Sequence, residues 1–90
     1  MLSVLSRDLN EKTKKIRSRG YIPGVIYGNT LDNSIPIEVY KTDFKRFIEA
    51  GENTKPVDLN LNGDIKKCVI TEVQIDSFKE GILHINFRLV

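Results

Sequence analysis

The strongest constraint on the fold is the segment VDLNLNGDIKKCVITEVQI, residues 57–75, in which two β-like stretches flank an Asn-Gly pair. Every second residue of 57–61 is apolar, which is the pattern of a half-buried strand. Asn62 and Gly63 both tolerate the positive φ angles that a two-residue hairpin turn requires. The segment therefore predicts a β-hairpin whose second strand runs from about residue 65 to residue 75.

Alternation and β-branched residues predict four more strands. In SIPIEVY, residues 34–40, the apolar residues share one face and Glu38 lies on the other. Because Pro23 has no N–H, it restricts its segment to a sheet edge or to the start of a strand. The four strands are predicted at residues 2–7, 25–27, 34–40 and 82–90.

Two helices are predicted between these strands. Residues 41–51 carry an apolar i, i+3, i+4 stripe that begins at Phe44, as amphipathic helices do. Residues 11–20 contain good helix formers, but Ile16 is the one strongly apolar side chain among them. This basic helix should therefore be short, exposed and unstable without tertiary contacts. A glycine ends each segment, which suits a helix C-terminus.

Ninety residues suit one domain with a modest core,. Six strands, two to three short helices and mostly sequential antiparallel pairing predict a mainly β (α+β) fold. We expect a six-stranded, antiparallel-rich β-barrel over residues 1–90, because closure hides the edges that an open sheet exposes.

The composition favours a cytoplasmic protein. Cys68 is the one cysteine, so no internal disulfide can form,. The first ten residues lack the charged region and apolar core of a signal peptide,. No window approaches the roughly 18 apolar residues that span a bilayer. We expect no membrane partner and a chain that is monomeric when free.

Positive charge is concentrated near the start of the chain. Residues 7–19 hold six basic and two acidic residues, a net +4, whereas the rest holds eight basic and ten acidic residues, a net −2. This concentration indicates an anionic partner, and a solvated helix face is the alternative that the sequence leaves open. The basic residues of the run are Arg7, Lys12, Lys14, Lys15, Arg17 and Arg19.

The last two strands predict a polar face. If the DSFKEG turn pairs them, Gln74, His84, Asn86 and Arg88 lie on one face, where they can bond base edges, 2′-hydroxyls and phosphates. Tyr27 can stack on a base or a sugar. An ordinary solvated sheet face, and a core position for the tyrosine, stay open as alternatives.

The sequence offers no catalytic or metal-binding pattern. One histidine and one cysteine cannot supply a zinc site,. The flanks of Cys68 resemble an ordinary strand, so a nucleophilic pair with His84 is not expected. No GxxxxGK phosphate loop occurs. We predict no enzymatic activity, no cofactor and no metal.

Five stretches occur together in one order: a basic run, RGYIPGVIYG, PIEV, NG before a strand with EVQ, and LHINF. In this combination the chain resembles the bacterial ribosomal protein L-twenty-five family, which includes the Ctc stress proteins. The resemblance implies a six-stranded barrel in the large ribosomal subunit that binds 5S rRNA. It implies as target the loop E region, an irregular helix with a distorted minor groove at the central protuberance. Other large-subunit components would then be its neighbours.

The resemblance also assigns RNA contacts residue by residue. Several residues match family positions, whereas LNEKT replaces the family's glycine-rich GKG before the helix and leaves no matched position for Lys12. The matching residues are Arg7, Lys14, Lys15 and Arg17, Tyr27 of the YG motif, Gln74 of VQ and His84 of the HIDF-like motif. Asn86 replaces the aspartate of HIDF, which adds a hydrogen-bond donor and removes a charge. The predicted RNA-binding set is Arg7, Lys12, Lys14, Lys15, Arg17, Arg19, Tyr27, Gln74, His84 and Asn86.

Three questions stay open. Many family members carry a second domain after the barrel, and this chain ends at Val90, as a short form or as a truncated one. A barrel related to synthetase anticodon-binding domains would bind tRNA instead. A protein-interaction barrel would use the basic helix to dock an acidic partner.

Overall fold

A computed structural model describes residues 1–52, 56–76, 78 and 81–90. Within these residues β2 begins at Tyr21, earlier than predicted, and α1 is shorter than predicted. Part of the predicted loop at 51–56 and of the turn at 76–81 lies outside the described residues. The elements are β1 (Leu2–Ser6), α1 (Thr13–Ser18), β2 (Tyr21–Tyr27), β3 (Ile35–Tyr40), α2 (Lys41–Glu49), β4 (Val57–Leu61), β5 (Asp64–Asp76) and β6 (Gly81–Leu89).

The strands close into a barrel in the order β1-β3-β2-β6-β5-β4, so the predicted six-stranded barrel is confirmed. Four of the six pairings are antiparallel. Three of the four antiparallel pairings join consecutive strands, whereas the β1–β3 pairing and the two parallel pairings join strands that are distant in the chain. β3 pairs antiparallel with both β1 and β2, which consequently run parallel on either side of it. The connection through α1 makes that crossover, as parallel strands require.

The β4–β5 hairpin turns where the sequence predicts. Asn62 and Gly63 have φ angles of 54° and 90°, the left-handed values of a tight hairpin turn,. The Asn60 side chain supports the turn, because its Oδ1 accepts a hydrogen bond from the Gly63 N–H at 2.8 Å. Leu61 and Asp64 are the last paired residues before the turn. The predicted hairpin is confirmed.

The core fills the barrel interior with the apolar residues of alternating strand positions. Phe44 and Phe47 of α2 are also buried and join the same cluster. Gly24 leaves room for β6, since a Cβ at this position would lie only 2.5 Å from the carbonyl oxygen of Ile85. Neither helix of the described residues is long and apolar enough to cross a membrane. The buried apolar set comprises Leu2, Val4, Ile22, Ile26, Ile37, Val39, Phe44, Phe47, Val57, Leu59, Leu61, Cys68, Ile85 and Phe87.

Candidate nucleic-acid interface

A break in the alternation of β5 creates the polar face. Strict alternation would turn Glu72 and Gln74 toward the same side as Cys68, which is fully buried,. The register instead shifts between Ile70 and Glu72, so that Thr71 has no partner on β6. This bulge returns Glu72 and Gln74 to the outer face, where both are exposed,.

Four side chains form what we call the polar row: Glu72, Gln74, His84 and Asn86. Gln74 lies directly opposite His84, and Glu72 lies opposite Asn86. The Glu72 carboxylate accepts hydrogen bonds from Gln74 Nε2 at 3.2 Å and from Asn86 Nδ2 at 3.3 Å. Both amide nitrogens are therefore drawn toward Glu72, which fixes the orientation of the two amides. The predicted grouping of Gln74, His84 and Asn86 is present.

Asn86, the residue at which HINF differs from the motif HIDF, has a hydrogen-bond partner on the neighbouring strand. Asn86 donates to Glu72, whereas an aspartate at this position would set a second carboxylate against the first. Two carboxylates in contact disfavour ionisation of one of them. Asparagine avoids that repulsion and supplies the hydrogen bond that holds Glu72.

His84 is half-buried within the row. Burial lowers its pKa from 6.5, and the positive charge of Arg7 acts in the same direction, while the hydrogen bond with Asn86 and the charge of Glu72 oppose the shift. The imidazole is therefore neutral at pH 7 and offers one donor and one acceptor. Arg7 has its Nε buried without a hydrogen-bond partner in the described part of the chain.

Tyr27 lies against the β5 bulge. Its hydroxyl donates to Thr71 Oγ1 at 3.0 Å, and that hydroxyl donates in turn to the backbone oxygen of Asn86 at 3.3 Å. Tyr27 is half-buried and pairs with the exposed Arg88 across β2 and β6. The tyrosine is thus held beside the polar row.

Ile16 and Arg17 of α1 both contact the outside of the barrel. Ile16 is fully buried, and α1 packs on β2. Arg17 Nη1 donates to the backbone oxygen of Leu83 at 3.3 Å. Leu83 lies at the second register shift of the β5–β6 pair and is unpaired with β5. These contacts fix the basic helix next to β6 and the polar row.

The two sides of α1 differ in their surroundings. We call the side with Lys14 and Arg17 the open side; it borders a groove against the start of β6. We call the other the acidic side, because Lys12 and Lys15 there line a depression together with Asp8 and Glu11. The predicted basic run is therefore divided between a cationic face and a face of mixed charge.

Arg19 lies on the acidic side and holds α1 to the barrel. Its Nε and Nη2 donate to Glu11, both at 2.8 Å, and its Nη1 and Nη2 donate to Glu38, both at 3.1 Å. Glu38 is only 5% exposed on the outer face of β3. The hydrogen bond from Arg19 is the main cause that lowers the pKa of Glu11, and the Arg19 pKa is itself raised. The guanidinium also lies over the Tyr21 ring, 5.2 Å from its centroid.

Sequence reasoning left three polar residues near this surface out of the predicted set. Glu72 and Thr71 could have been found from the alternation of β5. Strict alternation places Glu72 on the same side as the buried Cys68, and a bulge is needed to bring a polar residue there to the outer face. Lys41 has no such signal, because it starts a different helix. It lines the groove on the open side of α1.

No metal centre is indicated at this surface. Within the described ranges, no three histidine, cysteine, aspartate or glutamate side chains are grouped so that they could hold a metal ion. Cys68 is a free thiol in the barrel core, and burial raises its pKa despite the opposing charge of Lys66. The thiol faces the interior, whereas His84 faces outward.

The model of the Ribosomal L25p family matches residues 2–87. Among curated relatives, large ribosomal subunit protein bL25 of Bacillus licheniformis is 34% identical over 77 residues, which cover 86% of this chain and 36% of that protein. The protein of the same name from Bacillus pumilus is 37% identical over 78 residues, with 86% and 36% covered. That of Lysinibacillus sphaericus is 35% identical over 92 residues, with 100% and 46% covered. The chain thus spans less than half the length of these relatives.

Proposed function

Because the chain belongs to the Ribosomal L25p family, we propose that it is a structural, non-enzymatic protein of the large ribosomal subunit in the cytoplasm that binds 5S rRNA. The target we propose is loop E, as the sequence resemblance implies. The observation that carries the proposal is the polar row of Glu72, Gln74, His84 and Asn86, lying beside a basic helix that is fixed to the same strand.

The polar row suits an RNA minor groove. That groove is wide and shallow and displays 2′-hydroxyls and base edges, which act both as donors and as acceptors. A neutral His84 and two oriented amides offer both functions within one short strip. Tyr27 at the edge of the row supplies an aromatic ring for a sugar or a base. Direct contacts of this kind discriminate between RNA shapes.

The basic residues supply affinity and orientation. Phosphate contacts position a protein on nucleic acid but carry little sequence information. We assign this role chiefly to Lys14 and Arg17 on the open side, with Lys15, Lys12 and Arg7 as weaker contacts, because Lys12 and Lys15 lie beside Asp8 and Glu11. Arg19 contributes by holding α1 in place, because Glu11 and Glu38 accept hydrogen bonds from its guanidinium.

The test is binding of a 5S rRNA fragment containing loop E, against a fully paired duplex of equal length, over a salt series. We expect tighter binding to the loop, with a salt slope equivalent to roughly 4 to 6 phosphate contacts. His84→Ala should weaken binding to loop E more than binding to the duplex, and Ser3→Ala, which removes a neutral, exposed side chain from β1, serves as the matched control.

Three outcomes would overturn the assignment or part of it. Equal, weak binding of both RNAs by the wild type would make the basic run a general electrostatic patch and favour an acidic protein partner. Preferential binding of tRNA over the loop E fragment would favour the anticodon-binding alternative. If His84→Ala weakens both RNAs equally, the polar row does not discriminate between them.

A further inference from the structure

The open side of α1 borders a groove of about 380 Å³, in which the proposed contacts include Lys14 and Arg17 but no residue from outside the basic run. Its walls include Lys14 and Arg17 of α1, Lys41 at the start of α2, and residues 81–83 of β6. Arg17 connects α1 to β6 at this groove, because its Nη1 donates to the Leu83 backbone oxygen. Two helices and three strands, β2, β5 and β6, therefore converge on one cationic groove.

Lys41 is held at a fixed distance from α1. Its backbone N–H donates to the carbonyl oxygen of Gly20, which follows α1, at 2.9 Å. The preceding residue, Tyr40, pairs with Tyr21 across β2 and β3, and the two rings lie 5.4 Å apart. The start of α2 is thus tied to the end of α1 through backbone and aromatic contacts, and the Lys41 side chain is exposed.

The charges in the groove favour an anion. Lys14, Arg17 and Lys41 provide three positive charges, and Asp76 provides one carboxylate on the wall. The carboxylate accepts a hydrogen bond from the backbone N–H of Phe78 at 3.0 Å. Lys14 and Lys41 form no ion pair with any residue of the described ranges. By contrast, the depression on the acidic side sets two lysines against two carboxylates.

The groove continues the polar row along β6. From Asn86 and His84 the strand runs directly into residues 81–83, which form the groove wall. A nucleic-acid backbone that follows the row therefore reaches the groove at the end of the strand. A solvated backbone phosphate carries the charge that three cations attract, and Arg17 and the two lysines can donate hydrogen bonds to its oxygens.

We propose that this groove binds a backbone phosphate of the same RNA, beyond the stretch that the polar row reads, and that Lys41 is an RNA-binding residue. The proposal rests on the proposed function, since it assumes that the polar row lies on RNA. Lys41 then extends the phosphate contacts from one helix to two. It also gives the bound RNA a direction, because the cationic groove lies at one end of the row only.

The test compares Lys41→Ala with the charge-matched control Lys67→Ala, at the opposite end of β5 from Asp76. Alanine preserves the backbone N–H that bonds Gly20 and is a good helix former, so the fold should be retained. Two RNAs are used: loop E with duplex on both flanks, and loop E trimmed of those flanks. We expect Lys41→Ala to weaken the flanked RNA roughly threefold near 0.15 M salt and to lower the salt slope by about one.

The trimmed RNA should bind both variants equally, and Lys41→Arg should restore wild-type binding to the flanked RNA. The inference is overturned if Lys41→Ala and Lys67→Ala behave alike on the flanked RNA while the wild type still prefers loop E to duplex. It is overturned also if Lys41→Ala weakens the flanked and trimmed RNAs equally. Failure of the proposed function looks different, because then the wild type itself shows no preference for loop E.

Discussion

The two sides of α1 carry similar numbers of basic residues and are suited to different tasks. On the open side, Lys14 and Arg17 face a groove shared with Lys41. On the acidic side, Lys12 and Lys15 share their depression with Asp8 and Glu11. The position of nearby carboxylates, and not the number of lysines and arginines, decides which side presents a net positive potential to an anion.

The acidic side has a structural role of its own. α1 has six residues and one buried apolar side chain, which is too little to be stable alone,. Arg19 compensates, because it connects the end of the helix to the buried Glu38 and to Glu11. The acidic side therefore fixes the helix, and the fixed helix presents Lys14 and Arg17 toward β6.

The largest effect should follow from removing the Arg19 side chain, which lowers the stability of the fold. Arg19→Ala leaves the buried Glu38 carboxylate without the two hydrogen bonds it accepts from Arg19, and an unsatisfied buried acceptor costs about 1–3 kcal/mol. We expect the free energy of unfolding in urea to fall by an amount in this range. Lys15→Ala, which removes an exposed charge from the same helix, should change it by less than about 0.5 kcal/mol. Equal effects of the two substitutions would show that the Arg19 pairs do not hold the helix.

A smaller effect, on RNA affinity, should distinguish the open side of α1 from the acidic side. The double variant Lys14→Ala, Arg17→Ala should weaken binding to the loop E fragment roughly tenfold and lower the salt slope by about two. The charge-matched double variant Lys12→Ala, Lys15→Ala should change affinity less than threefold, because nearby carboxylates already offset those charges. Titrations at several salt concentrations measure both quantities. Equal losses of affinity in the two double variants would mean that RNA binding depends on the total charge of the helix and not on which side carries it.

Local patterns predicted much of the fold, whereas the non-local arrangement needed the structure. The Asn62–Gly63 turn depends on neighbouring residues alone, so it was predicted correctly. The insertion of β3 between β1 and β2 depends on which distant strands meet when the barrel closes, and no local pattern encodes it. Sequential pairing therefore accounts for three of the six strand pairs, and the other three could not be predicted from local patterns.

In the candidate site, too, local patterns were predicted correctly and contacts between distant residues were not. The polar row was predictable from the alternation of β6, but the bulge at Thr71 that brings Glu72 and Gln74 to that face was not considered. The division of the basic run was missed because a charge count over residues 7–19 includes Asp8 and Glu11 but does not show on which side of the helix they lie. Such a count also cannot include Glu38, the buried partner of Arg19, which lies on a later strand.

The smallest effect concerns the pH dependence of stability on the acidic side. Arg19 holds the pKa of Glu11 below its ordinary value of 4.5. The folded state therefore binds fewer protons at Glu11 than the unfolded state, so the contribution of this carboxylate is fully present above pH 4.5 and is lost as the pH falls through the folded pKa. Glu11→Gln cannot titrate and should be slightly less stable than the wild type at pH 7.

Urea unfolding of both proteins from pH 7 to pH 3 isolates this contribution, because the other titrating groups are common to the two chains. The difference in midpoint should stay constant down to about pH 4.5 and shrink below it. A difference that does not change with pH would contradict the ionised pair with Arg19. Because Glu11 stays ionised to a lower pH than a free glutamate, its negative charge continues to offset the charges of Lys12 and Lys15 at neutral and mildly acidic pH. The contrast between the two sides of α1 should consequently persist across the neutral pH range and begin to fade only under acidic conditions.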